Sequence, residues 1–274
     1  MTLQKAKLGL IGKSVTNQNA MDFSITNSFG NPSQDASIWQ EDMKKAVGYA
    51  GPGQLLVASA VGTIREGFSE EDYFNDFPKT AKLASETGVK VIELNLSCPN
   101  VASEGILCYS PEAVEAICRK SKEAIGDVAL LVKFGYFSPD QQQLLEQVVK
   151  KITPFIAGIS AINTIPAAVR DERGEQALPG QNRLMSGICG ASIKWAGVDM
   201  VKRLKKIREK LNSNFAIVGV GGIMTPEDYF EYRSVGADVA QSATGAMWNP
   251  NLAIQIQEKE QVKTNLLDQI GASL

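Results

Sequence analysis

The densest chemistry in the sequence lies at Asn95, Ser97, Cys98 and Asn100, inside the run Glu93-Leu-Asn-Leu-Ser-Cys-Pro-Asn100. Val91 to Leu96 is a short apolar stretch that reads as a buried strand. Pro99 stops it, because proline cannot donate to a sheet ladder. Two amides, a hydroxyl and a thiol therefore meet at the C-terminal edge of one strand, which is where α/β proteins carry their chemistry. A thiol beside amides that can read a polar ring is a proton-handling arrangement; for Cys98 the plainer alternative is a packed structural cysteine. The 274 residues include no histidine. That removes Ser-His-Asp and Cys-His catalysis and histidine-ligated zinc together, leaving Cys, Asp, Glu, Lys or Tyr as the general base. The four cysteines (Cys98, Cys108, Cys118 and Cys189) show neither a CxxC pair nor metal-ligand spacing, so no metal is expected. Helix or loop packing is the expectation for Cys108, Cys118 and Cys189.

Other strand ends carry polar groups. Lys13 and Ser14 follow the apolar Leu8 to Ile11 in Gly12-Lys-Ser-Val-Thr16. There Lys13 could meet an anionic ligand, or could be a solvated loop lysine. Lys133 closes Ala129-Leu-Leu-Val-Lys133, and a lysine ending a buried strand must reach its open end or pair with an anion. The following strand ends in Ile162-Asn163-Thr164. Two later strands run into Gly219-Val-Gly-Gly222 and Ser242-Ala-Thr-Gly245. Small residues there let backbone N–H groups approach a phosphate, and barrels place phosphate in the loops after their last two strands.

The elements that position these residues alternate. Strands are expected at 8–11, 55–61, 91–96, 129–134, 158–163, 216–220 and 238–241, with helices at 39–49, 70–87, 111–125, 139–152 and 192–211, and one after each of the last two strands. Residues 164 to about 190 read as a long polar loop, and Asn27 to Pro32 as a polar turn. Such alternation means parallel strands with right-handed crossovers. No GxGxxG follows the first strand, which weakens a Rossmann reading and leaves a (βα)8 TIM barrel in which seven strands are countable. With no repeat or Gly/Ser linker, one domain over residues 1–274 is expected. A net charge of −2 gives no electrostatic case for nucleic acid or an anionic membrane. No apolar run approaches a membrane span, so a cytoplasmic protein is expected.

Taken together, these motifs resemble the dihydroorotate dehydrogenase family, flavin-dependent (βα)8 barrels of pyrimidine biosynthesis. The resemblance runs from about Leu8 to Trp248 and is most specific at Glu93 to Asn100. It continues through Lys13-Ser-Val-Thr16, Asn27-Ser-Phe-Gly30, Val132-Lys133, Asn163-Thr164, Ser186 to Gly190, Gly221-Gly222-Ile223 and Ala243-Thr244-Gly245. It implies a soluble class 1 enzyme oxidising (S)-dihydroorotate to orotate, with a hydride passing to FMN and Cys98 as base. Asn27, Asn95, Asn100, Asn163 and Thr164 would bind the substrate. Lys13, Ser14 and Lys133 would lie against FMN, and Gly187, Gly221, Gly222, Ala243 and Thr244 would cradle its phosphate. The loop after Cys98 would act as a lid.

The resemblance also implies a homodimer. With NAD as acceptor it implies an iron–sulfur flavoprotein electron-transfer subunit, whereas fumarate would suit a self-contained enzyme and quinone fits Cys98 poorly. Relatives carry one more βα unit ahead of the segment matching Lys13, so the first unit is expected to be missing. Two alternatives stand beside this reading: a dihydropyrimidine dehydrogenase-type domain, from which Asn100 tilts toward orotate, and a truncated non-catalytic remnant acting as a binding or assembly partner.

Overall fold

The computed structural model describes residues 23–27, 33–63, 67–97, 107–181 and 183–271. Six strands form one parallel sheet: β2 (Val57–Ala60), β3 (Val91–Asn95), β4 (Ala129–Phe134), β5 (Gly158–Ala161), β8 (Ala216–Val220) and β9 (Val239–Gln241). They lie side by side in that order, with every pairing parallel. This is the curled strand–helix array of a partial TIM-type barrel. The expected first strand, Leu8 to Ile11, lies outside the described residues.

Parallel strands need long crossovers, and helices supply them. They are α2 (Glu70–Ser85), α3 (Pro111–Ile125), α4 (Gln142–Ile152), α5 (Lys194–Lys210) and α6 (Pro226–Val235). Ser69 and Asp72 form a reciprocal capping box at the start of α2, and Thr225 and Asp228 form another at α6. Gly236, left-handed at φ 119°, ends α6. Proline at the first turn starts α3 and α6. Before β2 comes α1 (Ala36–Tyr49), and after β9 come α7 (Thr244–Trp248) and α8 (Leu252–Gly271).

Side chains alternate across a strand, so each strand has two different faces. Ile92, Leu94, Leu130, Val132, Phe134, Ile159, Ala161 and Ile217 are buried in one apolar cluster. The cluster also holds Val114 and Ile117 of α3, Val148 and Val149 of α4, and Val201 and Leu204 of α5. The opposite face is partly polar: Glu93, Asn95, Lys133 and Ser160 lie there by register.

One expectation fails. The stretch from Thr164 to Gly190 is not a long loop but contains β6 (Ile165–Ala168) and β7 (Met185–Gly190). These pair antiparallel with each other, and β7 also pairs antiparallel with β1 (Ser24–Asn27), giving a second sheet of order β1-β7-β6. The sequences Ile-Pro-Ala-Ala and Met-Ser-Gly-Ile-Cys-Gly are short and rich in small residues, so they carry little of the alternation that marks a strand. Pro166 is tolerated because β6 is an edge strand.

Candidate active site

The C-terminal ends of β4, β5, β8 and β9 open onto one cavity. Its walls include Lys133 from β4, Asn163 and Thr164 after β5, Gly221 and Gly222 after β8, and Ala243 and Thr244 after β9. Seven of the expected site residues are thus brought together from four separate strand ends.

The β8 loop takes its shape from glycine. Gly221 and Gly222 have φ of 125° and 66°, a region L side chains rarely adopt. A Cβ on Gly222 would stand 2.7 Å from the Lys194 Cβ and 2.9 Å from the Gly190 carbonyl oxygen. The loop is also tied from behind. The buried Tyr232 hydroxyl donates to the Gly221 carbonyl oxygen at 2.7 Å. Asp228 accepts from the backbone N–H groups of Met224 and Thr225, both at 2.9 Å, and from the Lys194 ammonium at 2.7 Å.

Burial works against the charge on Asp228, but the Lys194 ammonium and the Met224 N–H outweigh it and hold the carboxyl below its ordinary 3.8. A lowered native value stabilises the fold above the ordinary value, and that contribution is lost as pH falls through the native one. Asp228→Asn should therefore melt below the parent at neutral pH, by a cap's worth of about 1 kcal/mol or more. The gap should close on acidification below 3.8, as thermal melts followed by circular dichroism at neutral and acid pH would show.

Around β3 the polar groups are joined. Ser97 donates from its N–H and its hydroxyl to Asn95 Oδ1 at 3.3 and 3.4 Å, and Asn163 Nδ2 donates to the Ser97 carbonyl oxygen at 2.8 Å. Asn95 is paired in register with Lys133. Asn95, Asn163 and Lys133 are thereby set around the strand end that leads into Cys98.

The remaining candidates divide. Cys98, Asn100, Lys13 and Ser14 lie outside the described residues. Asn27 ends β1 opposite Gly187. Gly187 stands apart from the cavity lining. It sits within β7, where the Thr26 hydroxyl donates to its carbonyl oxygen at 3.0 Å and an added Cβ would collide with Thr164. The neighbouring Gly190 takes a place in the lining instead.

Three contributors escape sequence reasoning. Cys189, for which packing is the expectation, lines the cavity from β7. Its thiol is pushed up by burial, with the Thr244 hydroxyl and the Ile25 carbonyl near it. Tyr232 anchors the glycine loop from a helix whose sequence shows no such role. Glu93 lies buried beneath Lys133. Cys108 and Cys118 are fully buried, as packing predicts, and burial pushes the Cys108 thiol up to about 12.

The dihydroorotate dehydrogenase family model matches residues 17–265. The chain belongs to the dihydroorotate dehydrogenase family. Over 236 residues it is 37% identical to a dihydroorotate dehydrogenase of Dictyostelium discoideum, an alignment covering 84% of this chain and 62% of that protein. The catalytic subunit of a dihydroorotate dehydrogenase B (NAD(+)) from Staphylococcus carnosus is 28% identical over 235 residues, covering 85% of this chain and 68% of that one. The chain thus spans about two thirds of the length of these family members. A crystal structure of DHODH from Eimeria tenella in complex with ferulenol superposes with a TM-score of 0.69. It covers 90% of this chain and 68% of the other at 17% identity, a likeness of fold. No helix among the described residues is long and apolar enough to cross a membrane.

Proposed function

We propose that this protein oxidises (S)-dihydroorotate to orotate with FMN as cofactor, within pyrimidine biosynthesis. The observation that carries the reading is the shared cavity: Lys133, the Asn163-Thr164 pair and both glycine-containing loops line one space at the C-terminal ends of the parallel strands. The residues fit FMN. Two successive βα loops that begin with small residues, Gly221-Gly222 and Ser242-Ala243, suit its phosphate, and the close approach at Gly222 leaves no room for a Cβ. Lys133 is the charged residue of the described lining, suited to an electron-rich ring. When bound, FMN supplies the hydride acceptor.

The chain supplies the rest. Asn95, Asn163 and Thr164, with Asn27 and Asn100, hydrogen-bond the substrate ring and carboxylate and fix which carbon faces the base. Cys98 acts as that base: its thiolate takes the proton from the carbon next to the one that loses hydride, leaving a thiol. Lys133 opposes the negative charge that builds on its neighbour. Lys13 and Ser14 complete the FMN contacts, with Ala243 and Thr244 on the phosphate side.

Turnover with an artificial electron acceptor tests the assignment. Dihydroorotate should be oxidised and dihydrouracil should not. Preferred oxidation of dihydrouracil would move the protein to the dihydropyrimidine dehydrogenase type. A protein that neither holds FMN nor oxidises either substrate would be a binding or assembly remnant.

A further inference from the structure

The sheet face below the cavity holds a buried charge to which the proposed function gives no part. Glu93 sits in the middle of β3 at 6% exposure. Its register partner is Leu131, two residues before Lys133, while Asn95 is the partner of Lys133 itself. Because side chains alternate along a strand, Glu93, Asn95 and Lys133 project from the same face, with Glu93 one layer below. Glu93 Oε1 lies 4.0 Å from Lys133 Nζ. Glu93 Oε2 is buried with no hydrogen-bond partner among the described residues.

An isolated buried carboxylate is costly, and one with a nearby cation is far less so. Lys133 is the cation within ion-pair range of Glu93 among the described residues, and its side chain is itself only 14% exposed. Beside it in register stands Ser160, whose buried hydroxyl likewise lacks a described partner. A lysine stem is flexible and its ammonium has three donors. Here an acceptor lies beneath, another lies to one side, and the cavity lies ahead.

We propose that Glu93 is a positioning residue, anchoring the Lys133 ammonium from beneath so that it stands fixed at the cavity wall against the bound ligand. The inference rests on the reading of that cavity as an FMN site. It gives the acidic residue at the head of the Glu93 to Asn100 run a purpose that its burial alone does not.

A double-mutant cycle decides it, with FMN affinity measured by quenching of flavin fluorescence. Glu93→Gln, which keeps shape and loses charge, should weaken FMN binding about tenfold, one decade of affinity. Lys133→Met should do at least as much, and the double variant no more than Lys133→Met alone, because both substitutions remove one coupled interaction. Glu93→Asp, which keeps the charge with a shorter reach, should recover part of the loss. Losses that multiply in the double variant would mean that Glu93 acts independently of Lys133, and the proposal would fall.

Thermal melting gives a second readout that needs no flavin. Lys133→Met alone leaves the buried carboxylate unpaired, so it should melt lower than the double variant; the opposite order overturns the anchor. A parent protein that binds no FMN would instead sink the functional reading, and the melting order would still decide the Glu93–Lys133 pair.

Discussion

Cys98→Ala should slow the anaerobic reduction of bound flavin by dihydroorotate about a thousandfold, the middle of the range for a lost general base, while FMN should stay bound. Carbon acids of this kind do not release a proton to water quickly, so removing the proposed base would strand the substrate even with its hydride acceptor in place. Without histidine anywhere in the chain, no imidazole can stand in. Stopped-flow absorbance with the parent and the variant measures the effect. A rate within a few-fold of the parent would remove Cys98 from the chemistry and return it to packing. The other cysteines make poor substitutes: Cys108 and Cys118 are fully buried, and burial raises the Cys189 thiol above its ordinary value.

Gly222→Val should abolish the retention of FMN through purification. Two costs coincide at this position. A β-branched residue at φ 66° is strained, by roughly 1–2 kcal/mol. The new Cβ also meets Lys194 at 2.7 Å and the Gly190 carbonyl oxygen at 2.9 Å. The second contact is with backbone, so relief requires the loop after β8 to part from the end of β7, where Gly190 also lines the cavity. Gly126→Val is the control. Gly126 has a similar positive φ, 61°, but nothing lies within 4 Å of the point a Cβ would occupy, and it ends α3 away from the cavity lining. It should lower the melting temperature and leave FMN affinity unchanged. Equal loss of FMN in both variants would trace the effect to general destabilisation rather than to the cradle.

What the sequence disclosed follows physical lines. The six described parallel strands and the helices between them were legible because β-rich apolar runs alternate with amphipathic segments. The convergence of Lys133, Asn163-Thr164 and the glycine loops was legible for a different reason. A parallel sheet puts all its C-terminal strand ends on one side, so polar strand tips far apart in sequence must meet. The antiparallel β1-β7-β6 sheet was not legible, since strands of Ala, Gly, Ser and Pro give no periodic signal and their pairing spans more than 160 residues between Ser24 and Gly190.

The supporting residues were hidden for the same reason that they matter. Tyr232 reaches the Gly221 carbonyl from a helix eleven positions later, and nothing in its own surroundings in sequence marks it. Glu93 could have been suspected. That Lys133 must reach the open end of its strand or pair with an anion was evident, and the register that puts an acid one layer below it on the adjacent strand was the missing fact. Gly187 shows the converse: its place in a motif was clear, but that it lies in β7 opposite Asn27 and against Thr164 was not.

The absorption spectrum of the purified protein, recorded anaerobically before and after dihydroorotate is added, tests whether the cavity holds a flavin that this substrate reduces. An oxidised-flavin band at about 450 nm is expected, since the cofactor carries the redox chemistry, and dihydroorotate should bleach it. A protein that stays colourless when FMN is supplied, or a flavin band that dihydroorotate leaves unchanged, would contradict the proposed function.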